Sequence, residues 1–177
     1  MATRDRDATR DDRESAFARL ADAHLDAAYR LASFILAGDR GEAEDAVHDA
    51  AVQAWDHYSE LRDPARFEAW FTRIVVNECR DRIGRRRLRP ISLADPDPGS
   101  APDYADALLR SDALARAMLN LSPEHRVVVA LRYLRDLPLE EIATRTGERL
   151  GTVKSRLHYA LRELRADLEA EAREVSE

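Results

Sequence analysis

Residues 137–164 read LPLEEIATRTGERLGTVKSRLHYALREL and contain two helical patterns separated by a glycine. The first pattern runs into Gly147, where the chain must turn sharply and where glycine accepts a positive φ at little cost. The second pattern begins at Gly151, and its apolar side chains recur at helical spacing: Val153, Leu157, Ala160, Leu161, Leu164 and Leu168. Two crossed helices joined by such a turn form a helix-turn-helix, whose second helix enters the major groove of DNA.

The opposite face of the second helix is polar and basic. It carries Ser155, His158, Tyr159 and Arg162, and it is flanked by Lys154 and Arg156. The alternative interpretation is an ordinary pair of surface helices. We favour the helix-turn-helix because the turn, the apolar stripe and the basic face all agree.

The distribution of charge along the chain matters more than its sum. The 177 residues have a formal net charge of -6, which does not suit a protein that binds DNA. However, residues 73–89 contain seven arginines against two acids, whereas residues 95–112 contain five aspartates against one arginine. Because the local charge sets the local field, the arginine-rich segment is a candidate docking site for a polyanion.

Other compositional features exclude several classes of protein. A single cysteine, Cys79, excludes an intrachain disulfide framework and a multi-cysteine zinc site. Its apolar neighbours predict a small buried side chain rather than a redox sensor, and a lone thiol fits the reducing cytoplasm. No apolar run approaches membrane-spanning length, so no membrane insertion is expected, and residues 1–14 do not resemble a signal peptide.

Helical periodicity continues along the rest of the chain, over residues 14–37, 42–57 and 65–87. Pro, Gly, Ser and Asp then dominate a segment with the composition of a flexible acidic linker. Ser122 and Pro123 open a further helix as its N-cap and first residue. The predicted fold is all-α with two small helical domains. The predicted order is a disordered tail (1–13), a first domain (14–89), the linker (90–110), a helix-turn-helix domain (111–169) and a charged tail (170–177).

The end of the first domain has a second group of residues that suits nucleic acid. Six arginines crowd within about three helical turns: Arg80, Arg82, Arg85, Arg86, Arg87 and Arg89. Trp70, Phe71 and Asn77 lie just upstream, and Tyr58 lies in the preceding loop. Aromatic rings beside a basic groove are typical of sites for single-stranded nucleic acid, since every base has a face that can stack. The alternative is a core role, which we favour for Phe71.

The helix predicted over residues 42–57 presents an acidic face. Asp45, Asp49 and Asp56 surround Val52, and Trp55 lies at the flank. An apolar group ringed by carboxylates suits a protein partner that has a basic groove. The alternative is a solvated acidic face.

Three segments together resemble those of a known family. They are AEDAVHDAAVQAW (43–55), FEAWFTRIVVNECRDRIGRRR (67–87) and LPLEEIATRTGERLGTVKSRLHYAL (137–161). Their order and spacing resemble bacterial RNA polymerase sigma factors of the extracytoplasmic-function (ECF) group, in the sigma-70 family, and the resemblance covers residues 14–168. The chain departs from the family pattern at His48, where Gln is common, and at Leu137-Pro138, where Leu-Ser is usual.

The resemblance implies a cytoplasmic alternative sigma factor that is not an enzyme and needs no cofactor. It would bind core RNA polymerase through the β′ clamp coiled coil and the β flap, recognise promoter DNA, and promote melting and initiation. Members of the family are often held by an anti-sigma factor. The implied polymerase contacts are Asp45, Asp49, Val52, Gln53 and Trp55. The implied −35 contacts are Thr152, Lys154, Ser155, Arg156, His158 and Arg162. The implied −10 contacts are Tyr58, Arg62, Trp70, Asn77, Arg80, Arg82, Arg85 and Arg86.

Two other functions agree with parts of the sequence. GTVKSRL (151–157) also occurs in LuxR-type helix-turn-helix regulators, which act without replacing a sigma factor. Residues 14–89, however, lack the pattern of a sensor or receiver domain. Glu44 and His48 are four residues apart on a helix, as in a metal-binding helical bundle, but a second Glu-x-x-His set is missing.

Overall fold

The computed structural model describes residues 2–88 and 112–174, and within these residues it is built of α-helices without strands. This confirms the all-α prediction. The first unit consists of α1 (Ala2–Ile35), α2 (Arg40–His57) and α3 (Phe67–Leu88), with 3-10 turns at Tyr58–Glu60 and Pro64–Arg66 between α2 and α3. The second unit consists of α4 (Asp112–Asn120), α5 (Pro123–Tyr133), α6 (Leu139–Thr146) and α7 (Leu150–Glu174). Most of the predicted linker, residues 90–110, lies outside the described residues.

Two predicted tails are helical where the structure describes them. Helix α1 begins at Ala2, although residues 1–13 were expected to be disordered. The reason is visible in the sequence, because residues 2–35 contain no glycine or proline that would interrupt a helix. Helix α7 continues to Glu174 and so includes the first residues of the charged tail (170–177), for which a helical end was one of the expectations.

The predicted helix ends have the expected capping groups. The Oγ of Ser122 accepts a hydrogen bond from the backbone N–H of His125 at 3.2 Å, and Pro123 follows as the first helical residue. Asp39 caps α2 in the same way, accepting from the N–H of Glu42 at 3.0 Å. Gly147 ends α6 in the left-handed region with φ of 68°, which confirms the predicted sharp turn.

The two helical units share a hydrophobic core. Val127, Val128 and Leu131 of α5 belong to the same buried cluster as Phe71 of α3 and Leu31 of α1. Helix α1 packs on α5, and α3 packs on α6. A second cluster lies inside the second unit, yet Phe34 of α1 packs against both clusters. In this conformation the two helical units therefore pack against each other across a common apolar interface.

Of the six predicted stripe positions of α7, three are buried, Leu157 and Leu168 are half-buried, and one is exposed. Val153 and Ala160 of α7 are fully buried and Leu164 nearly so, but Leu161 is 39% exposed. It follows Ala160 directly, and one helical step of about 100° carries its side chain away from the stripe. Cys79 is fully buried, as predicted, and burial raises the pKa of its thiol to about 12. Among the described residues, no helix has both the length and the apolar character that a membrane crossing requires.

Candidate nucleic-acid interface

Helices α6 and α7 form the helix-turn-helix that the sequence predicts. The backbone N–H of Glu148, just after Gly147, donates to the carbonyl of Ala143 at 3.0 Å and satisfies one of the free carbonyls at the end of α6. Helix α7 begins three residues after Gly147. Fully buried Ile142 of α6 and Val153 of α7 then place both helices on the shared core. The turn therefore fixes the direction of α7 at its N-terminal end.

The N-terminal half of α7 presents an exposed face, which we call the recognition face. Lys154, Ser155, His158 and Arg162 are exposed on it. The hydroxyl of Ser155 donates to the carbonyl of Gly151 at 3.0 Å, and the guanidinium of Arg162 lies over the exposed ring of Tyr159. Thr152 and Arg156, which the sequence assigned to the same surface, are partly buried. This arrangement offers hydrogen-bond donors and acceptors to a groove of DNA.

A second open feature lies between α2 and α3, and we call it the loop cavity. Its volume is about 370 Å³, and it is lined by Glu60, Leu61, Arg62, Asp63, Arg66 and Trp70. The carboxylate of Asp63 accepts from the N–H of Ala65 at 3.0 Å and so fixes the turn at Pro64–Arg66. Arg62 is exposed at the cavity, and Trp70 is half-buried in its wall.

The predicted aromatic contacts differ in their accessibility. Tyr58 and Trp55 are half-buried, and both rings meet Phe17 of α1 edge to face, with centroids 5.2 and 5.3 Å away. The guanidinium of Arg13 lies over both of these rings. Phe71 is buried, as predicted for a core residue. Trp70 therefore packs against the hydrophobic core and also lines the open loop cavity.

The arginines at the end of α3 divide into two groups. Arg82 donates to Glu42 at 3.1 Å and to Asp49, and only 11% of its side chain is exposed. Arg86 donates to Asp39 and lies 3.3 Å from Glu42. Burial lowers the pKa of both guanidinium groups, but the carboxylates outweigh it and raise the pKa overall. These two arginines, expected on a DNA backbone, are thus paired with α2 in this conformation.

The remaining predicted −10 residues differ in their exposure to solvent. Asn77 and Arg85 are exposed, and the nearest ion-pair partner of Arg85 is Glu78 at 4.0 Å. Arg80 is half-buried and turns toward the second unit, where it donates to the carbonyl of Thr146 at 3.3 Å. The side chain of Arg87 lies outside those that the structure describes.

The acidic face of α2 is present as predicted. Asp45 has a side chain that is 75% exposed, Val52 is 48% exposed, and Gln53 is exposed. Asp49 is half-exposed because one side of its carboxylate binds Arg82. An apolar centre within a ring of acids is therefore available to a partner.

Sequence reasoning missed a partly buried ion cluster between the two units. Glu68 at the start of α3 accepts from Arg145 of α6 at 2.9 Å and from Arg135, and we call these three residues the Glu68 cluster. Partial burial raises the pKa of Glu68, but the two guanidinium groups more than offset this and lower it to about 2. The sequence does contain a signal for the burial of Arg145. This residue follows buried Ile142 by three positions, so helical spacing puts both side chains on the packed face of α6.

A second missed cluster joins residues that were assigned to different DNA elements. Glu148 Oε1 accepts from Arg156 Nη1 at 2.8 Å and from Arg80 Nη2 at 3.3 Å, and we call these three residues the Glu148 cluster. One carboxylate therefore holds an arginine of α3 and an arginine of α7.

Comparison with known proteins matches both helical units. The family description "Sigma-70 region 2" matches residues 20–89, and "Sigma-70, region 4" matches residues 117–166. The ECF RNA polymerase sigma factor SigL of Mycobacterium tuberculosis is 38% identical over 155 residues, which cover 85% of this chain and 87% of SigL. RNA polymerase sigma factor SigV of Bacillus subtilis is 32% identical over 149 residues, covering 81% of this chain and 85% of SigV.

Solved structures have the same fold. CnrH, in complex with the cytosolic domain of CnrY, matches with a TM-score of 0.63 and 26% identity over 89% of this chain and 90% of CnrH. The sigma factor RpoE, in complex with the anti-sigma factor NepR from Bartonella quintana, matches with a TM-score of 0.66 over 86% of this chain and 96% of RpoE. At 23% identity, the second likeness concerns the fold alone.

Proposed function

Because the chain belongs to the ECF group of the sigma-70 family and is an alternative sigma factor, we propose how its helices share the contacts with promoter and polymerase. The family acts with RNA polymerase at promoter DNA. A LuxR-type regulator is not favoured, since a sigma-70 region 2 accompanies the helix-turn-helix. The chain itself would act in the cytoplasm, without catalytic chemistry of its own.

Helix α7 reads the −35 element, and the observation that carries this assignment is the exposed recognition face directly after the turn at Gly147. Ser155, His158 and Arg162 contact base edges from this face, and Lys154 contacts phosphates. Thr152 and Arg156 join them at the N-terminal end of the helix, the part of a recognition helix that approaches the bases. A bidentate arginine on guanine supplies about 1–3 kcal/mol of discrimination.

The loop cavity receives an unpaired base of the −10 element. Its volume of about 370 Å³ and the half-buried ring of Trp70 in its wall support this assignment. Stacking on an aromatic ring contributes about 1–3 kcal/mol per base and offsets the few kcal/mol that unstacking costs. Arg62, Asn77 and Arg85 hold the melted strand, and Tyr58 supports the wall from within. Arg80, Arg82 and Arg86 join the backbone contacts once their carboxylate partners release them.

Helix α2 binds the β′ clamp coiled coil of core polymerase through its acidic face. Exposed Asp45, Val52 and Gln53 support this, with Asp49 and Trp55 at the margin. The second unit contacts the β flap, so that polymerase holds both DNA-binding units on the same promoter. Tethering makes the second contact intramolecular, which raises its effective concentration. A regulatory protein that binds the sigma factor, such as an anti-sigma factor, is a further proposed partner, and the similar protein CnrH is itself in complex with the cytosolic domain of CnrY.

Runoff transcription tests the proposal. Bacterial core polymerase, the full chain and genomic fragments are combined, and transcripts are compared with and without the chain. We expect specific transcripts that fall by roughly fivefold to 150-fold for Arg162→Ala, which removes a base contact worth about 1–3 kcal/mol. Arg173→Ala is the matched control, since Arg173 is exposed on the same helix about 16 Å further along. A chain that binds no polymerase but gives a footprint on duplex DNA would contradict the proposal.

A further inference from the structure

A shared carboxylate joins helix α3, which we assign to the −10 element, to helix α7, which we assign to the −35 element. Within the Glu148 cluster, guanidinium groups of Arg80 and Arg156 both lie within 3.3 Å of one oxygen atom. Arg80 also donates to a backbone carbonyl of the helix-turn-helix. All three side chains of the cluster are about three quarters buried, with 24–25% of each exposed. Helix α3 is thereby fastened to the N-terminal end of α7.

This arrangement cannot persist on a promoter. The −10 and −35 elements are named for positions about 25 base pairs apart, which is roughly 85 Å of duplex at about 3.4 Å per base pair. Arg80 and Arg156, proposed for these two elements, meet at one atom in the structure. The helix-turn-helix must therefore leave α3 before both elements can be read.

We propose that the structure is a closed form of the chain, in which the Glu68 and Glu148 clusters latch the helix-turn-helix onto α3 and so mask Arg80 and Arg156 from promoter DNA. The inference rests on the proposed assignment of α3 and α7 to the two elements. It adds specific latch residues, Glu68 and Glu148, which touch no DNA themselves. Removing either carboxylate loosens the closed form while every proposed DNA contact stays in place.

The shared core opposes opening of this form. Ile142 and Leu131 are fully buried against residues of the first unit, and Phe34 bridges both clusters. Separating the units exposes this apolar surface to water, which is unfavourable. Core polymerase offers protein surface on which separated units can dock, so polymerase rather than DNA drives the opening.

A distance measurement on the full chain tests the latch. Fluorescent dyes are attached at Ala23→Cys on α1 and Ala166→Cys on α7, both exposed positions, while buried Cys79 stays unlabelled. We expect a high-transfer population for the free chain, and a shift to low transfer when core polymerase is added. Glu68→Gln and Glu148→Gln should increase the low-transfer population without polymerase. Circular dichroism confirms that each variant keeps its helices.

DNA binding supplies the second readout. The probe is a −35 duplex from a fragment selected by runoff transcription, and we expect each latch variant to bind it about tenfold more tightly than the parent chain. Glu44→Gln is the matched control, because Glu44 forms an exposed pair with Arg40 away from the interface. Low transfer in the free parent chain, or unchanged transfer and affinity in both latch variants, would overturn the inference. If the parent chain gives no runoff transcripts, the proposed function is refuted. The energy-transfer measurement on the free chain needs no transcription, so it tests the latch separately.

Discussion

Glu68 and Arg145 are 77 positions apart in the sequence, yet Arg145 Nη1 donates to Glu68 Oε1 at 2.9 Å. This contact joins the first residues of α3 to the buried face of α6. Arg135 binds the same carboxylate oxygen from the loop between α5 and α6. A single acid thus connects three segments of the chain, and its removal has consequences for stability as well as for function.

Acid should weaken the fold through Glu68. Because its pKa falls from 4.5 to about 2 on folding, the stabilisation is complete above pH 4.5 and is lost as pH falls toward 2. We expect Glu68→Gln to lower the free energy of unfolding at pH 7 by about 1–3 kcal/mol, allowing for solvent screening. Urea unfolding at pH 7 and pH 3 measures this, and the difference between variant and parent should shrink at pH 3. Glu44→Gln should behave like the parent at both values.

Truncation of the shared core should destabilise both units together. Ile142→Ala removes a fully buried side chain at the contact between units, and such truncations cost about 2–5 kcal/mol. Thermal unfolding followed by circular dichroism should show one transition at lower temperature. Leu161→Ala on the 39% exposed site should change stability by less than about 1 kcal/mol. Two separate transitions in the parent chain would contradict the shared core.

Two glycines near the turn should respond to alanine in opposite directions. Gly147 has φ of 68°, so Gly147→Ala imposes a left-handed conformation that costs about 1–2 kcal/mol although the added methyl group meets no neighbour. Gly151 lies in the first turn of α7 with open space around it, so Gly151→Ala should stabilise by up to about 1 kcal/mol. Chemical denaturation of both variants measures the difference. Equal effects would show that the turn does not depend on backbone conformation.

Trp70 should matter for promoter melting but not for the −35 contact. Trp70→Ala removes the stacking surface of the loop cavity. We expect the equilibrium constant for promoter melting to fall by roughly fivefold to 150-fold, which corresponds to about 1–3 kcal/mol of lost stacking. Permanganate reactivity of unpaired thymines with polymerase present is the measurement. Trp70→Phe keeps an aromatic ring and should retain most of the melting, which separates stacking from general damage to the core. Equal loss in both variants would argue against a base in the cavity.

The local features of this fold were predictable from sequence, because they depend on neighbouring residues. Ser122 and Gly147 identify the start of α5 and the end of α6 through capping chemistry that acts within one turn. The exposed face of α7 likewise follows from helical spacing. Tyr58 was harder to judge, since the ring of Phe17 that covers it lies about 40 residues earlier in the chain.

The long-range ion pairs could not be predicted from sequence. Arg82 meets Glu42 across 40 positions, and Arg80 meets Glu148 across 68. Periodicity assigns a charged residue to a helix face but does not say which other helix packs there. The pairing of units therefore emerged only from the tertiary structure, and with it the partial masking of residues assigned to DNA.

The pairing of Arg82 and Arg86 with α2 has a consequence for binding thermodynamics. An arginine that remains paired with a carboxylate neutralises no phosphate, so it releases none of the cations condensed on the strand. For single strands, each phosphate neutralised contributes about 0.7 to the slope of log affinity against log salt concentration. The slope for a melted −10 strand therefore reports whether Arg82 and Arg86 leave Asp39, Glu42 and Asp49 as proposed: it is steeper by roughly 1.4 when both join the backbone contacts than when both stay paired.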